Sequence, residues 1–225
     1  RLVIKGALRS AYWLDSGVDP PVRRIRDSKW DGYSHHHATF LNKRLPCHGP
    51  TCEVVWVEGE KQRLIFRSNH GAMDGRGCVI WAEDVFRALR GEELLGSRSS
   101  VSKLDIITGI TDQTKAYDSG KVLSPTGNHR PGEPGVMWRR VSFSGKFHKL
   151  LGKMGWVLAQ SAWRYNDGPV RLLIPVDLRS RRPGLRSTSN LNAGLTVEVT
   201  KDSTPDSIAR DIATQLENKE DCNVP

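Results

Sequence analysis

Short apolar and β-branched runs alternate with polar turns along this chain, and each run predicts a β-strand. Two runs, residues 53–57 and 63–66, are joined by the sequence EGEK, which predicts a β-hairpin. We expect further strands at residues 2–8, 136–143, 169–176 and 193–199. The hairpin predicts a sheet that is at least partly antiparallel.

Helices are predicted where apolar residues recur every three or four positions. Residues 78–89 have this spacing, and a second stripe begins at Phe147 and continues to about Tyr165. The last helix is expected to start at Thr204, with Pro205 at its first position. Strands that alternate with helices, together with a hairpin, predict an α/β or α+β fold.

Residues 96–135 are rich in Ser, Thr, Gly and Pro, with one short helical candidate at 101–110. Such a composition is typical of a long connection between structural units. We therefore predict an N-terminal lobe with its crossover at residues 1–135 and a second lobe that begins within 136–225.

The chain is basic, with a formal net charge of +9 over 225 residues. Such an excess steers anionic partners toward a protein, whether nucleic acid, an acidic carrier protein or a phosphorylated cofactor. One loop that contains proline and glycine holds Arg179, Arg181, Arg182 and Arg186. Charge runs of this kind are usually solvated loops. Because no aromatic residue lies within the cluster, nucleic acid is the least favoured partner.

Neither the apolar runs nor the cysteines indicate a membrane or metal protein. The apolar runs are far shorter than a membrane span and no signal-like segment opens the chain, so we expect a cytoplasmic protein. Cys47, His48 and Cys52 could begin a zinc site, but a complete ligand set is not visible and no metal is predicted. The chain lacks the Gly-x-Ser-x-Gly motif of serine hydrolases, and nothing around Cys78 marks a nucleophile.

His70 has the surroundings of a functional histidine. It follows a predicted strand and lies among the small residues Gly71, Ala72 and Gly75, so a substrate could approach its ring closely. Imidazole can take a proton from a hydroxyl or amine near neutral pH and return it to a leaving group. Asp74 could orient that ring or hold the turn through a basic partner, and a packing role for the histidine is the alternative.

The segment Asn69-His70-Gly71-Ala72-Met73-Asp74-Gly75 closely resembles the H-H-x-x-x-D-G signature of nonribosomal peptide synthetase condensation domains. Their relatives include polyketide-associated, wax-ester and plant alcohol acyltransferases, all related in fold to chloramphenicol acetyltransferase. The resemblance implies an α+β fold, an α/β two-layer sandwich with a central mixed sheet and flanking helices. Asn69 stands where condensation domains usually carry a first histidine, whereas the alcohol acyltransferases keep only the second. The resemblance therefore implies a condensation-domain-like acyltransferase in which His70 is the general base.

A second segment strengthens the resemblance. The sequence from Ile174 to Arg179 (IPVDLR), followed by Asn190 and Leu191, is similar to the segment that opens the C-terminal lobe of these enzymes. In the family an arginine at this point pairs with the aspartate of the histidine motif, which implies an Asp74–Arg179 ion pair that supports the site. Full members have two comparable lobes, whereas only residues 180–225 follow Arg179, so we expect an incomplete second lobe.

The resemblance implies transfer of an acyl group from a thioester to an alcohol or amine, without a bound cofactor and in the context of natural-product biosynthesis. The donor would be acyl-coenzyme A or the phosphopantetheine thioester of an acyl or peptidyl carrier protein. Structural support is expected from Asp74, Arg179 and Gly75. Substrate or carrier contacts are expected from Asn69, Gly71, Arg181, Arg182, Arg186 and Asn190. The alternative is an inactive or partial domain that binds a carrier protein, and a second chain or copy could complete the reaction tunnel.

Overall fold

The computed structural model describes residues 2–6, 12–26, 28–46, 48–97, 99–108, 110, 125 and 138–222. The chain divides into two compact units, and neither is continuous in sequence. The first unit contains Arg1–Ser100, Pro134–Phe143 and Gly184–Leu191. The second contains Val101–Glu133, Ser144–Pro183 and Asn192–Pro225. A boundary between two lobes at residue 135 stays a prediction about the whole protein.

Two predicted strands of the first unit differ from what the structure shows. β1 (Leu2–Lys5) pairs antiparallel with β2 (Tyr12–Asp15), and residues 7 and 8 of the predicted first strand lie outside the described part. The strand predicted at 136–143 is wrong for residues 138–143, where Arg139 makes only an isolated bridge to Ser34. The main-chain N–H groups of His35 and Arg140 donate across this bridge to the carbonyl oxygens of Trp138 and Tyr33. Among the described residues no further strand pairing extends it.

A three-stranded mixed sheet is the framework of the first unit. β3 (Val22–Ile25) runs parallel to β4 (Cys52–Val57), and β4 pairs antiparallel with β5 (Arg63–Ser68). The β4–β5 pair confirms the predicted hairpin. The central strand is buried along nearly all its length, which agrees with its β-branched sequence CEVVWV.

Aromatic residues cover one face of this sheet. Trp30 is buried and meets the rings of Phe40 and Trp138 edge-on, at centroid distances of 5.7 and 5.9 Å. Val55 and Val57 of β4 pack into the same cluster and are almost completely buried. These contacts form the core on the side of the sheet that carries the odd-numbered residues of β4.

The other face of the sheet receives α1 (Gly75–Leu89), the predicted helix with an additional first turn. Phe66 of β5 meets the ring of Trp81 edge-on at 5.1 Å and lies 6.1 Å from the ring of Phe86. Ile80 of the same helix is buried. α1 is therefore fixed against β5, and the turn between them carries His70.

A buried carboxylate, that of Glu53, connects the three strands. Its Oε1 accepts a hydrogen bond from Arg23 of β3 at 2.9 Å and forms a second ion pair with Arg67 of β5. Burial alone would raise the pKa of Glu53, but the hydrogen bonds and charges of Arg23 and then Arg67 outweigh it and hold that pKa below its usual value. Glu53 is therefore expected to be ionised in the folded protein at neutral pH.

The second unit is a two-stranded sheet with helices on it. α2 (Lys103–Ile107) is a short helix at the predicted position and begins with a capping box between Ser102 and Asp105. β6 (Val170–Asp177) pairs antiparallel with β7 (Asn192–Val199), close to the predicted bounds.

Two longer helices complete this unit. α3 (Leu150–Ala162) and α4 (Pro205–Glu217) pack on each other, and α4 has the predicted Thr204 cap and Pro205 start. A single core joins them to the sheet and contains Ala159, Val197, Val199, Ile208 and Ile212. Within the described residues, no helix is long and apolar enough to cross a membrane.

Candidate active site

His70 lies on the turn between β5 and α1, and Asn69 organises that turn. The Asn69 carbonyl accepts hydrogen bonds from the N–H groups of Ala72 and Met73 at 3.0 and 3.2 Å. Its side-chain oxygen accepts the N–H of Gly71 at 3.0 Å. His70 itself is exposed at the apex. Asn69 therefore has a local structural role, and its predicted contact with a substrate or carrier stays a prediction.

Asp74 ties the start of α1 to a distant part of the chain. It is the N-cap residue of α1, and its Oδ1 accepts the N–H of Gly77 at 2.7 Å. Its Oδ2 accepts the N–H of Leu191, also at 2.7 Å, and the residue is only 1% exposed. Both oxygens accept main-chain hydrogen bonds, whereas the sequence suggested either the ring of His70 or a basic side chain as the partner of Asp74.

The segment Gly184–Leu191 reaches His70 through Asn190. The Asn190 Nδ2 donates to the carbonyl oxygen of His70 at 2.8 Å and lies 3.4 Å from the ring Nδ1. The sequence suggested Asn190 as a residue that contacts substrate or carrier, and the structure adds a direct contact with the candidate base. Two adjacent residues, Asn190 and Leu191, thus hold the two ends of the His70–Asp74 turn.

Gly77 is a site residue that the sequence did not single out. A Cβ there would lie 2.2 Å from the carbonyl oxygen of Thr188, so only glycine permits this approach of the segment to α1. Gly75, which was predicted to support the site, has no heavy atom within 4 Å of the position of a Cβ. A glycine inside a helix costs about 1 kcal/mol relative to alanine, and that local cost was the available signal for Gly77.

Arg186 anchors the same segment further along α1. Its guanidinium forms ion pairs at 2.9 Å with both Glu83 and Asp84 and donates to the carbonyl oxygen of Gly96 at 2.7 Å. The charge of Arg186 is therefore paired with carboxylates of the first unit. Its predicted contact with an anionic donor stays a prediction, and such a donor would have to compete with two carboxylates.

The other arginines of the predicted basic loop lie in the second unit. Arg181 pairs with the buried carboxylate of Asp221 at 2.6 Å, and Arg179 pairs with Asp177 at 2.7 Å. Arg182 is exposed. Only Arg182 of the three presents its side chain mainly to solvent, and its role in binding a donor also stays a prediction.

The Asp74–Arg179 ion pair implied by the family resemblance stays a prediction as well. The two residues belong to different compact units. Both are buried, at 1% and 7% exposure.

Cys78, in the first turn of α1, has the properties of a packed thiol. Burial raises its pKa above the usual value, and the negative charge of Asp74 raises it further. A thiol with a raised pKa is a poor nucleophile at neutral pH, which agrees with the absence of a cysteine motif in the sequence. Among the described residues, no three His, Cys, Asp or Glu side chains come together as a metal site, and Cys47 lies outside those residues.

Comparison with known proteins gives a fold but no sequence family. No family model matches the chain, and no curated protein matches it. Among solved structures, TRI101 of F. sporotrichioides, complexed with coenzyme A and T-2, matches 99% of this chain with a TM-score of 0.59 and 14% identity. Polyketide synthase associated protein 5 of Mycobacterium tuberculosis matches 97% with a TM-score of 0.53 and 11% identity.

The epimerization domain from the third module of tyrocidine synthetase B matches 98% of the chain, with a TM-score of 0.50 and 13% identity. The chain covers 60–64% of the length of these three structures. Together they confirm the predicted fold class, and at 11–14% identity they show the fold alone. The chain has the α+β fold of condensation-domain-like and chloramphenicol acetyltransferase-like proteins.

Proposed function

We propose that this chain carries the catalytic histidine of an acyltransferase that uses a thioester donor. The observation that carries the proposal is the exposed His70 on a turn held at both ends by main-chain and side-chain hydrogen bonds. Rigid support of an exposed imidazole is what a general base requires, because proton transfer depends on its position. The fold likeness to the three solved structures is consistent with this chemistry.

In the proposed reaction His70 removes the proton from an acceptor hydroxyl or amine as that group attacks the thioester carbonyl carbon. A tetrahedral oxyanion forms, the carbon–sulfur bond breaks, and the imidazolium returns the proton to the thiolate. The products are an ester or amide and a free thiol. Asp74 has a holding role in this scheme, since its two oxygens accept the N–H groups of Gly77 and Leu191.

Asn190 is the proposed positioning residue for this base. Its amide N–H fixes the carbonyl of His70, and the same nitrogen lies 3.4 Å from Nδ1 of the ring. An amide in that place favours one orientation of the imidazole over free rotation about χ1 and χ2.

The donor is proposed to be acyl-coenzyme A or the phosphopantetheine thioester of an acyl or peptidyl carrier protein. One of the matching structures is complexed with coenzyme A, which supports the first of these. The net charge of +9 supports either donor, since both are anionic. A cytoplasmic location, where such thioesters are made, completes the proposal.

A second candidate function is a partial, catalytically inactive domain that binds a carrier protein. The observation that favours it is the net charge of +9, because carrier proteins are acidic and a basic chain attracts them.

The test is release of free thiol from a panel of acyl-coenzyme A thioesters and acyl carrier protein thioesters, with mixed alcohols and amines as acceptors. We expect release that depends on the acceptor and falls 10²–10⁴-fold in His70→Ala, the usual contribution of a general base. His36→Ala is the matched control, because His36 is also an exposed histidine of the first unit. Equal release by His70→Ala and the parent would contradict the role of His70, and binding of carrier protein without release would favour the second candidate.

A further inference from the structure

The outer face of α3 carries large apolar side chains that nothing in the described residues covers. Five of them are 45–56% exposed, and they are Leu150, Leu151, Met154, Val157 and Leu158. Their spacing of one, three and four positions places them on one continuous stripe. Phe147, just before the helix, is also exposed. The stripe is about 12 Å long at 1.5 Å per residue, or about two helical turns.

The helix cannot hide this stripe by turning, because its opposite face is already closely packed. A Cβ at Gly152 would lie 2.2 Å from the carbonyl oxygen of Pro205, and a Cβ at Gly155 would lie 2.8 Å from Leu172. Ala159 and Ala162 are buried on the same side. Only small residues fit there, so the large apolar residues must stay on the outer face.

A helix that is apolar on all sides is usually buried on all sides. Five adjacent half-exposed large side chains form a contiguous apolar patch, and such patches mark sites of association. Regular apolar spacing over two turns fits the ridges of another helix better than it fits an irregular loop.

The charges around the stripe select the partner. From Lys149 to Arg164 the chain has no Asp or Glu, and Lys153 lies at the edge of the stripe with Lys146 just before the helix. Lys149 is paired with Asp206, and Lys153 has no ion pair with any described residue. A second copy docked through the same stripe would bring its own Lys146 and Lys153 to this edge, whereas a helix flanked by Glu or Asp would pair with them.

We propose that the outer face of α3 is a docking site for an acidic amphipathic helix of a partner protein. The docked helix presents apolar residues at i, i+3, i+4 and i+7 to the stripe and acidic residues to Lys146 and Lys153. This interaction is independent of the chemistry at His70 and does not rest on the proposed acyltransferase function.

The test uses two labelled 20-residue synthetic helices with the same Leu spacing, one flanked by Glu and the other by Lys, titrated into the purified protein by fluorescence anisotropy. We expect micromolar binding of the Glu-flanked peptide and at least tenfold weaker binding of the Lys-flanked peptide. Met154→Glu, in the centre of the stripe, should weaken binding of the Glu-flanked peptide at least tenfold. Leu173→Glu is the matched control, since Leu173 is an exposed leucine of the same unit outside the stripe.

Four outcomes would overturn the proposal. Equal affinity for the two peptides would remove the charge argument, and unchanged binding by Met154→Glu would place the peptide elsewhere. Light scattering tests whether a second copy occupies the stripe, and sedimentation with anionic phospholipid vesicles tests whether a membrane surface does. A dimer that Met154→Glu dissolves would assign the stripe to a second copy, and vesicle binding lost in Met154→Glu, with no peptide binding, would assign it to a membrane surface. Circular dichroism of each variant checks that the fold is retained.

Discussion

Replacing Gly77 by alanine perturbs the closest approach in the candidate site. A Cβ at this position would lie 2.2 Å from the carbonyl oxygen of Thr188 and 2.8 Å from the side chain of Met73. A Cβ at Gly75, in the same first turn of α1, would meet nothing within 4 Å. Gly75→Ala is therefore a matched control, with the same chemical change in the same helical turn and no steric contact.

The two substitutions should change the free energy of unfolding in opposite directions. Helix propensity favours alanine by up to about 1 kcal/mol, so Gly75→Ala should be neutral or slightly stabilising. In Gly77→Ala the backbone at Thr188 must move away by about 1 Å, and overpacking of this kind costs about 1–3 kcal/mol. That movement also strains the hydrogen bond from Leu191 to Asp74. We expect Gly77→Ala to be destabilised by about 1–3 kcal/mol.

Urea denaturation followed by tryptophan fluorescence measures both variants against the parent. The difference between them should be about 1–4 kcal/mol, with similar denaturant slopes. An assay of acyl transfer should show a larger loss for Gly77→Ala than for Gly75→Ala, because Thr188 lies two residues before Asn190. Equal stability of the two variants would refute the close approach of Gly184–Leu191 to α1.

Three further results are expected. Asp74→Ala and Asp74→Asn should both lose about 2–3 kcal/mol in the free energy of unfolding, because each leaves a buried N–H of Gly77 or Leu191 without its acceptor. An Asp74→Asn variant as stable as the parent would contradict this. The lowered pKa of Glu53 contributes stability that is present above its unfolded pKa, near 4.5, and that is lost as the pH falls through the lower folded pKa. The free energy of unfolding should therefore change less between pH 6 and pH 3 in Glu53→Gln than in the parent. Because burial and then Asp74 raise the pKa of Cys78, iodoacetamide should alkylate it more slowly than a free cysteine peptide at pH 8, and equal rates would argue against the packed position.

The sequence was sufficient to predict those helices and strands whose local signals agree with their burial in the structure. The β4–β5 hairpin has two β-branched runs around a polar turn, and α4 has a capping Thr204 followed by Pro205, so both were predicted. The strand predicted at 136–143 failed because its apolar residues Val141 and Phe143 are exposed rather than paired in a sheet. An apolar run indicates a strand only when a neighbouring strand is available to pair with it.

The candidate site was predicted in part. The motif identified the turn that carries His70, because a motif is local in sequence. The neighbours of that turn come from Gly184–Leu191, and long-range contacts of this kind leave no periodic pattern. For the same reason Arg186 looked like a free anion-binding group from its sequence, whereas its partners Glu83 and Asp84 lie on α1.

The segment Gly184–Leu191 also affects the order in which the protein can form. It lies in sequence between β6 and β7 of the second unit but belongs to the first. Asn190 follows His70 by 120 positions, so the turn that carries the histidine cannot be completed until the chain has been synthesised through residue 190. Closing so long a loop is slow compared with forming the local hairpin. A nascent chain would therefore hold β3, β4, β5 and α1 first and acquire an ordered His70 only after Gly184–Leu191 has docked.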